Sequence, residues 1–193
     1  MQRAFVRSGI NMVYSQGFNP RPKLSLVLPK NVGLASEGDL FCVQITCGDD
    51  TTSHGEIFTR ISHQLPGGIS LEDIVVHSKK VGCKVVEAEY LIRIDNEEKL
   101  KSAVVRADEL NRLIQAGEEI IIERIIDDEG SVKTVEIGKF LKSFEKVSQG
   151  IKVVCKITDR GTIRPDEILK LLNMEPSEIS SSIVRNKINW QVN

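Results

Sequence analysis

Tyr14-Ser15-Gln16-Gly17-Phe18-Asn19-Pro20-Arg21-Pro22-Lys23-Leu24-Ser25 is the stretch from which the rest of the chain is read. Gly17 opens backbone angles that residues with a Cβ resist, and each proline holds the residue before it, Asn19 or Arg21, extended. Two prolines within three residues make a stiff loop, and a stiff loop keeps its side chains in place. Those side chains are rings, amides and cations: Tyr14, Gln16, Phe18, Asn19, Arg21 and Lys23. Directly beyond, Leu24, Leu26 and Leu28 recur every second residue, so residues 23–28 read as a strand with one leucine face, ended by Pro29.

On the N-terminal side, residues 1–10 read as a helix with Met1, Ala4 and Phe5 inward and Gly9 near its end. On the C-terminal side, residues 31–39 form a connecting loop and 40–46 a second strand. That strand is apolar on both faces, as an internal strand of a sheet would be. Ser53-His54-Gly55-Glu56 has capping-box spacing, and Ile57, Ile61 and Leu65 give the helix it opens one apolar stripe, with Phe58 beside them. Pro66-Gly67-Gly68 stops the helix, and residues 69–77 read as a strand. The order is helix, strand, strand, helix, strand. One strand in front would complete β-α-β-β-α-β, the ferredoxin-like order, so the first sheet is expected to have an unfilled strand position.

The second half starts with a strand over residues 88–94. Asn96 is the expected N-cap of a long helix, with Glu97 and Glu98 at its positive end. Leu100, Ala103, Val104, Ala107, Leu110 and Ile114 are its inner stripe, and Gly117 ends it. Residues 119–126 and 132–137 read as a hairpin around Asp127-Asp128-Glu129-Gly130. Residues 140–147 fit either a helical turn or a strand, and 151–158 a strand. Pro165 with Asp166 and Glu167 opens a last helix, whose core face is Ile168, Leu171 and Leu172. Residues 180–190 form the final strand. The expected fold is therefore α+β: two tandem ferredoxin-like units, over residues 1–80 and 85–193, the first lacking its N-terminal strand.

The totals exclude several classes. The 193 residues carry a net charge of −1, with 40% hydrophobic and 27% charged residues, which is ordinary soluble composition without a global field for nucleic acid or membrane. No apolar run approaches the roughly 20 residues of a membrane helix, and nothing reads as a signal peptide, so a cytoplasmic protein is expected. Cys42, Cys47, Cys83 and Cys155 form no Cys-x-x-Cys pair, and His54, His63 and His77 lack ligand spacing with them; no metal is expected. The charge is uneven. Residues 1–36 hold Arg3, Arg7, Arg21, Lys23 and Lys30 and no acid, while the remainder holds 21 bases against 27 acids. A basic end of this kind is either an anion-facing surface or a solvated face.

Catalytic signals are absent. There is no Gly-x-Ser-x-Gly, no Walker loop and no dinucleotide fingerprint. Without Cys-x-x-x-Cys-x-x-Cys, the chain cannot hold an iron–sulfur cluster of the radical-enzyme type by itself, and no cofactor is expected. Glu37, in Ser36-Glu37-Gly38, is the one candidate base. The residue types fit binding better. Tyr14 and Phe18 suit base stacking, Arg21 and Lys23 suit phosphates, and Gln16 and Asn19 suit polar base edges. For Phe18 the plainer role, pinning the loop to the core, is favoured. For Arg21 and Lys23 the two roles weigh equally. Arg160 and Arg164 in Arg160-Gly161-Thr162-Ile163-Arg164-Pro165 put two more cations at a helix start, where backbone donors favour an anion.

Arg3-Ala4-Phe5, Arg7-Ser8-Gly9, the loop from Tyr14 to Ser25, Leu28-Pro29, Val32-Gly33, Ser36-Glu37-Gly38 and, near the end, Gly161-Thr162-Ile163-Arg164-Pro165-Asp166-Glu167 resemble the radical-SAM-linked domain family of unknown function. Members of that family occur alone or fused behind a radical-SAM protein, often among genes for ribosomal proteins and a ribonuclease. The resemblance implies a radical-SAM partner and a role near RNA or translation. Family members begin with a strand and a Ser-His-Leu-Asp-like segment, both absent here, so a truncated or misplaced start is expected. Three readings follow: a non-catalytic RNA-binding or substrate-presenting module using Tyr14, Gln16, Asn19, Arg21, Lys23, Arg160 and Arg164; a module that docks the radical-SAM protein without RNA; and an RNA-processing enzyme using Glu37 or the missing histidine.

Overall fold

The structure, a computed structural model, describes residues 1–30, 34–46, 53–126 and 130–192. In chain order the elements are α1 (Gln2–Arg7), β1 (Leu24–Leu26), β2 (Ala35–Ser36), β3 (Phe41–Val43), α2 (His54–Ser62), β4 (Cys83–Arg93) and α3 (Glu97–Ala116). They continue with β5 (Ile121–Ile125), β6 (Val132–Glu136), β7 (Leu141–Val147), β8 (Gly150–Lys156), α4 (Pro165–Leu171) and β9 (Val184–Val192). The fold is mixed α+β. Its contacts separate two units, one built mainly from Met1–Val27 and Leu40–Cys83, the other from Leu28–Asp39 and Lys84–Gln191.

The first unit is small. Antiparallel β1 and β3 pair Leu24 with Val43, Ser25 with Cys42 and Leu26 with Phe41. Beyond β3 the chain is bonded on both sides: Gln44 N donates to Lys23 O, and Gln44 O accepts from Val13 N, both at 2.9 Å. This is the internal position that the apolar residues on both faces of 40–46 predict. Phe5, Met12, Ile57 and Ile61 form the buried centre, with Leu24, Val43, Ile45, Leu65, Leu71, Ile74 and Val76 packed around it. Ser53 caps α2 as its spacing requires, its Oγ accepting from Glu56 N at 3.2 Å. The expected strand over residues 69–77 is a correction. Leu71, Ile74 and Val76 do pack inward, but the segment joins no ladder among the described residues. Local bonds hold part of it instead, with Ser70 Oγ donating to Glu72 and Ile74 N donating to the Asp73 carboxylate.

In the second unit five strands lie in the order β2-β9-β4-β8-β7. β4 with β8 and β8 with β7 are antiparallel, whereas the two-residue β2 runs parallel to β9. α3 matches its expectation at both ends. Asn96 Oδ1 accepts from Lys99 N at 3.0 Å, and Gly117 ends the helix at φ 70°, a left-handed conformation that costs glycine little. Its stripe of Ala103, Ala107 and Leu110 is buried, and together with Ile92, Leu141, Val153 and Ile168 it belongs to one continuous core. The ambiguous stretch 140–147 resolves as a 3-10 turn, Gly138–Phe140, followed by strand β7. β5 and β6 form the expected hairpin as a separate two-stranded sheet; residues 127–129 of its turn lie outside the described residues.

Candidate functional site

Residues 13–23 fold back on themselves as a narrow ribbon of the first unit. Tyr14 bridges Pro22 in antiparallel fashion, Lys23 N donates to Val13 O at 2.8 Å and Ser15 N donates to Arg21 O at 2.8 Å. Arg21 N returns a bond to Ser15 Oγ at 2.9 Å. Pro22 thus sits where no backbone donor is needed, which is why the ribbon tolerates it. Ser15 and Arg21 close off a five-residue tip, residues 16–20. Gly17 lies at φ 132°, a backbone conformation that L side chains rarely adopt, so the tight tip depends on it.

The register decides which side chains act together. Successive residues of an extended ribbon alternate between faces, so Arg21 and Lys23 project from one face and Tyr14 with Pro22 from the other. Arg21 and Lys23 are exposed, and neither guanidinium nor ammonium has an ion pair or side-chain hydrogen bond among the described residues. Gln16 and Asn19 are exposed at the tip with free amides, again among the described residues. Tyr14 is 41% exposed. Arg3, also exposed, has no ion pair among the described residues, whereas Arg7 is engaged, its Nη2 donating to Gln64 O at 2.8 Å. A recess of about 340 Å³ beside α1 is lined by Gln2, Arg3, Val6 and Arg7. With its whole lining on one helix, it is a surface groove rather than an enclosed site.

Phe18 departs most from the sequence reading. It does not pin the loop to the core: at 107% of its reference area it is fully exposed at the tip. Its neighbours carried the signal. Gly17 before it and Asn19-Pro20 after it exclude the helix or strand in which a ring is normally buried.

Arg160 and Arg164 belong to the second unit. Arg160 tops a tight turn in which Thr158 N and Gly161 N each donate to the other residue's carbonyl at 3.0 Å. Both side chains are exposed, without ion pairs among the described residues. The anion-accepting helix start is already supplied from within the chain: Arg164 N, the N-cap donor, is bonded at 2.8 Å to Glu167 Oε2. Glu167 is 2% exposed and also takes a two-pronged grip from Arg124, Nε to Oε1 at 2.6 Å and Nη2 to Oε2 at 2.8 Å. The fork of Arg124 therefore meets a carboxylate of matching geometry in a buried place.

Ser36, Glu37 and Asp39 lie in the Leu28–Asp39 segment of the second unit. Arg185 of β9, 1% exposed, donates to the Asp39 carboxylate and to Leu28 O at 3.1 Å and Pro29 O at 3.3 Å. Ser36 Oγ donates to Asp39 Oδ1 at 2.7 Å. Ser36 and Asp39 therefore serve to anchor this segment, and Glu37 between them is exposed and carries no partner for its carboxylate among the described residues. Sequence reasoning had no signal for Arg185, whose partners lie some 150 residues away in the chain. Among the described residues, no group of three or more His, Cys, Asp or Glu side chains is placed to hold a metal ion, and no helix is long and apolar enough to cross a membrane.

Compared with known proteins, residues 1–165 match the family described as "Uncharacterized protein conserved in bacteria (DUF2344)". No curated protein and no solved structure matches. The match covers most of the chain, including the ribbon, the Ser36–Asp39 segment and the residues up to Pro165, and the chain belongs to this family.

Proposed function

We propose that this member of the uncharacterised bacterial family is a non-catalytic RNA-binding module that presents its ligand to a radical-SAM partner. The observation that carries the reading is the state of Arg21 and Lys23. Two cations on one face of a ribbon, exposed and without internal partners among the described residues, are available to phosphates. The ribbon that holds them is closed by its own backbone bonds, so ordering it on binding costs little. The radical-SAM partner and the setting near translation rest on the resemblance carried by the motifs from Arg3 to Gly38 and from Gly161 to Glu167. The strand order β9-β4-β8-β7, interleaved in the chain with α3 and α4, supports reading the second unit as ferredoxin-like. The first unit, with its single two-stranded ladder among the described residues, gives the tandem form of that fold less support.

The test is binding of a fluorescently labelled RNA as a function of potassium chloride concentration. For single strands each neutralised phosphate contributes about 0.7 to the slope of log affinity against log salt. Arg21→Ala/Lys23→Ala is expected to weaken binding and to flatten the slope by about 1.4. An unchanged slope, or co-purification of a partner protein that survives nuclease and high salt with no RNA bound, would give the ribbon a protein-docking role instead.

A further inference from the structure

We infer that Phe18 is the residue that selects the ligand, and that the ligand is an unpaired nucleobase rather than a duplex. This deepens the RNA-binding reading and rests on it. A phenylalanine ring in water buries nothing, so Phe18 adds no packing energy to the free protein. Here the ring is fully exposed, on a tip whose two ends are tied together by hydrogen bonds. Gly17 sets the turn on one side, Asn19-Pro20 restricts the other, and the two Ser15–Arg21 bonds close the base. A flat apolar ring on a tip closed at its base offers both faces for stacking.

The occupant follows from the surroundings of the ring. Arg21, three residues away, and Lys23 are free cations among the described residues, and residues 1–36 contain no acid. An apolar peptide would gain nothing from those charges. A single-stranded nucleic acid matches both features, a π-face for the ring and a phosphate for each cation. In a duplex the base faces are stacked on one another and closed to a ring outside the helix, so only phosphates would remain for the ribbon to contact. The amides of Gln16 and Asn19 flank Phe18 and can meet the polar edge of the same base. The contact spans one base and two phosphates, so its affinity alone is modest, and it gains strength only when other contacts hold the same strand.

The experiment uses the full chain, with single-stranded RNA and the same sequence annealed to its complement. Phe18→Ala is expected to weaken single-strand binding by about 5- to 150-fold, the range for loss of one stacked base, and to leave duplex binding unchanged. Phe18→Trp is expected to retain single-strand binding, with the indole emission quenched as the base stacks on it. Phe18 is fully exposed, so neither variant threatens folding. If Phe18→Ala binds single strands as the parent does while Arg21→Ala/Lys23→Ala does not, the stacking role fails and the phosphate contact stands. If the parent binds neither form of RNA, the RNA-binding reading itself fails. Equal loss on single strand and duplex would also overturn the proposal.

Discussion

Arg185 shows what a single residue decides in this chain. Its guanidinium is sealed inside the second unit, where Asp39 and two main-chain carbonyls are its partners, and its Nε has none among the described residues. Removing Asp39 would strand the charge in a place water does not reach, which costs about 3–5 kcal/mol. Asp39→Ala is therefore expected to lower the urea midpoint of the second unit strongly, followed by the fluorescence of the single tryptophan, Trp190 on β9. Asp39→Leu combined with Arg185→Met should recover part of the loss, because an apolar pair of similar size carries no stranded charge. If Asp39→Ala unfolds with the parent, the segment is held by β2 alone. This anchoring was not legible beforehand. A buried arginine in a strand looks like any exposed one until its distant partners are known, whereas for Phe18 the turn residues on both sides were there to be read and the ring's apolar character outweighed them. For Arg21 and Lys23 the sequence shows only that no acid stands among residues 1–36, and it leaves their two roles level.

Among the elements, those defined by local chemistry were readable. α3 has an amide cap at one end, a glycine at the other and a helical stripe between, all set by residues close in sequence. Residues 69–77 show the limit. Alternating side chains mark an extended backbone, but a strand also needs a free edge to pair with, and no local pattern reports one. For the same reason the short parallel pairing of β2 with β9 went unforeseen. Arg124 of β5 and Glu167 of α4 tie the hairpin to a helix start through a buried two-pronged bond. Glu167→Ala should expose the hairpin to proteolysis and cost about 3–5 kcal/mol, while cleavage at the parent rate would mean that the tie contributes little. Glu87 of β4 accepts from Lys142 of β7 at 2.6 Å and from Asn189 of β9 at 3.2 Å. The Lys142 bond in particular holds its carboxyl below the ordinary glutamate range. A carboxyl so lowered stabilises the fold above its unfolded value and loses that contribution as pH falls through its folded one. Glu87→Gln should thus be less stable at neutral pH, by under about 1 kcal/mol for so exposed a lysine partner, and should converge with the parent in acid. A deficit that persists unchanged into acid would show that the charge is not its source.

At the scale of the molecule, a nearly neutral chain gathers its unopposed bases at one end, and the ribbon displays two of them beside a bare ring. Binding through that ribbon requires it to meet nucleic acid directly. Ultraviolet crosslinking in cells, followed by digestion and mass spectrometry, reads this directly, since it records which peptide touches a base. Nucleotide adducts are expected on the tryptic peptide over residues 8–23, concentrated at Phe18. Adducts confined to the second unit, or protein crosslinks from the ribbon with no nucleotide attached, would contradict it.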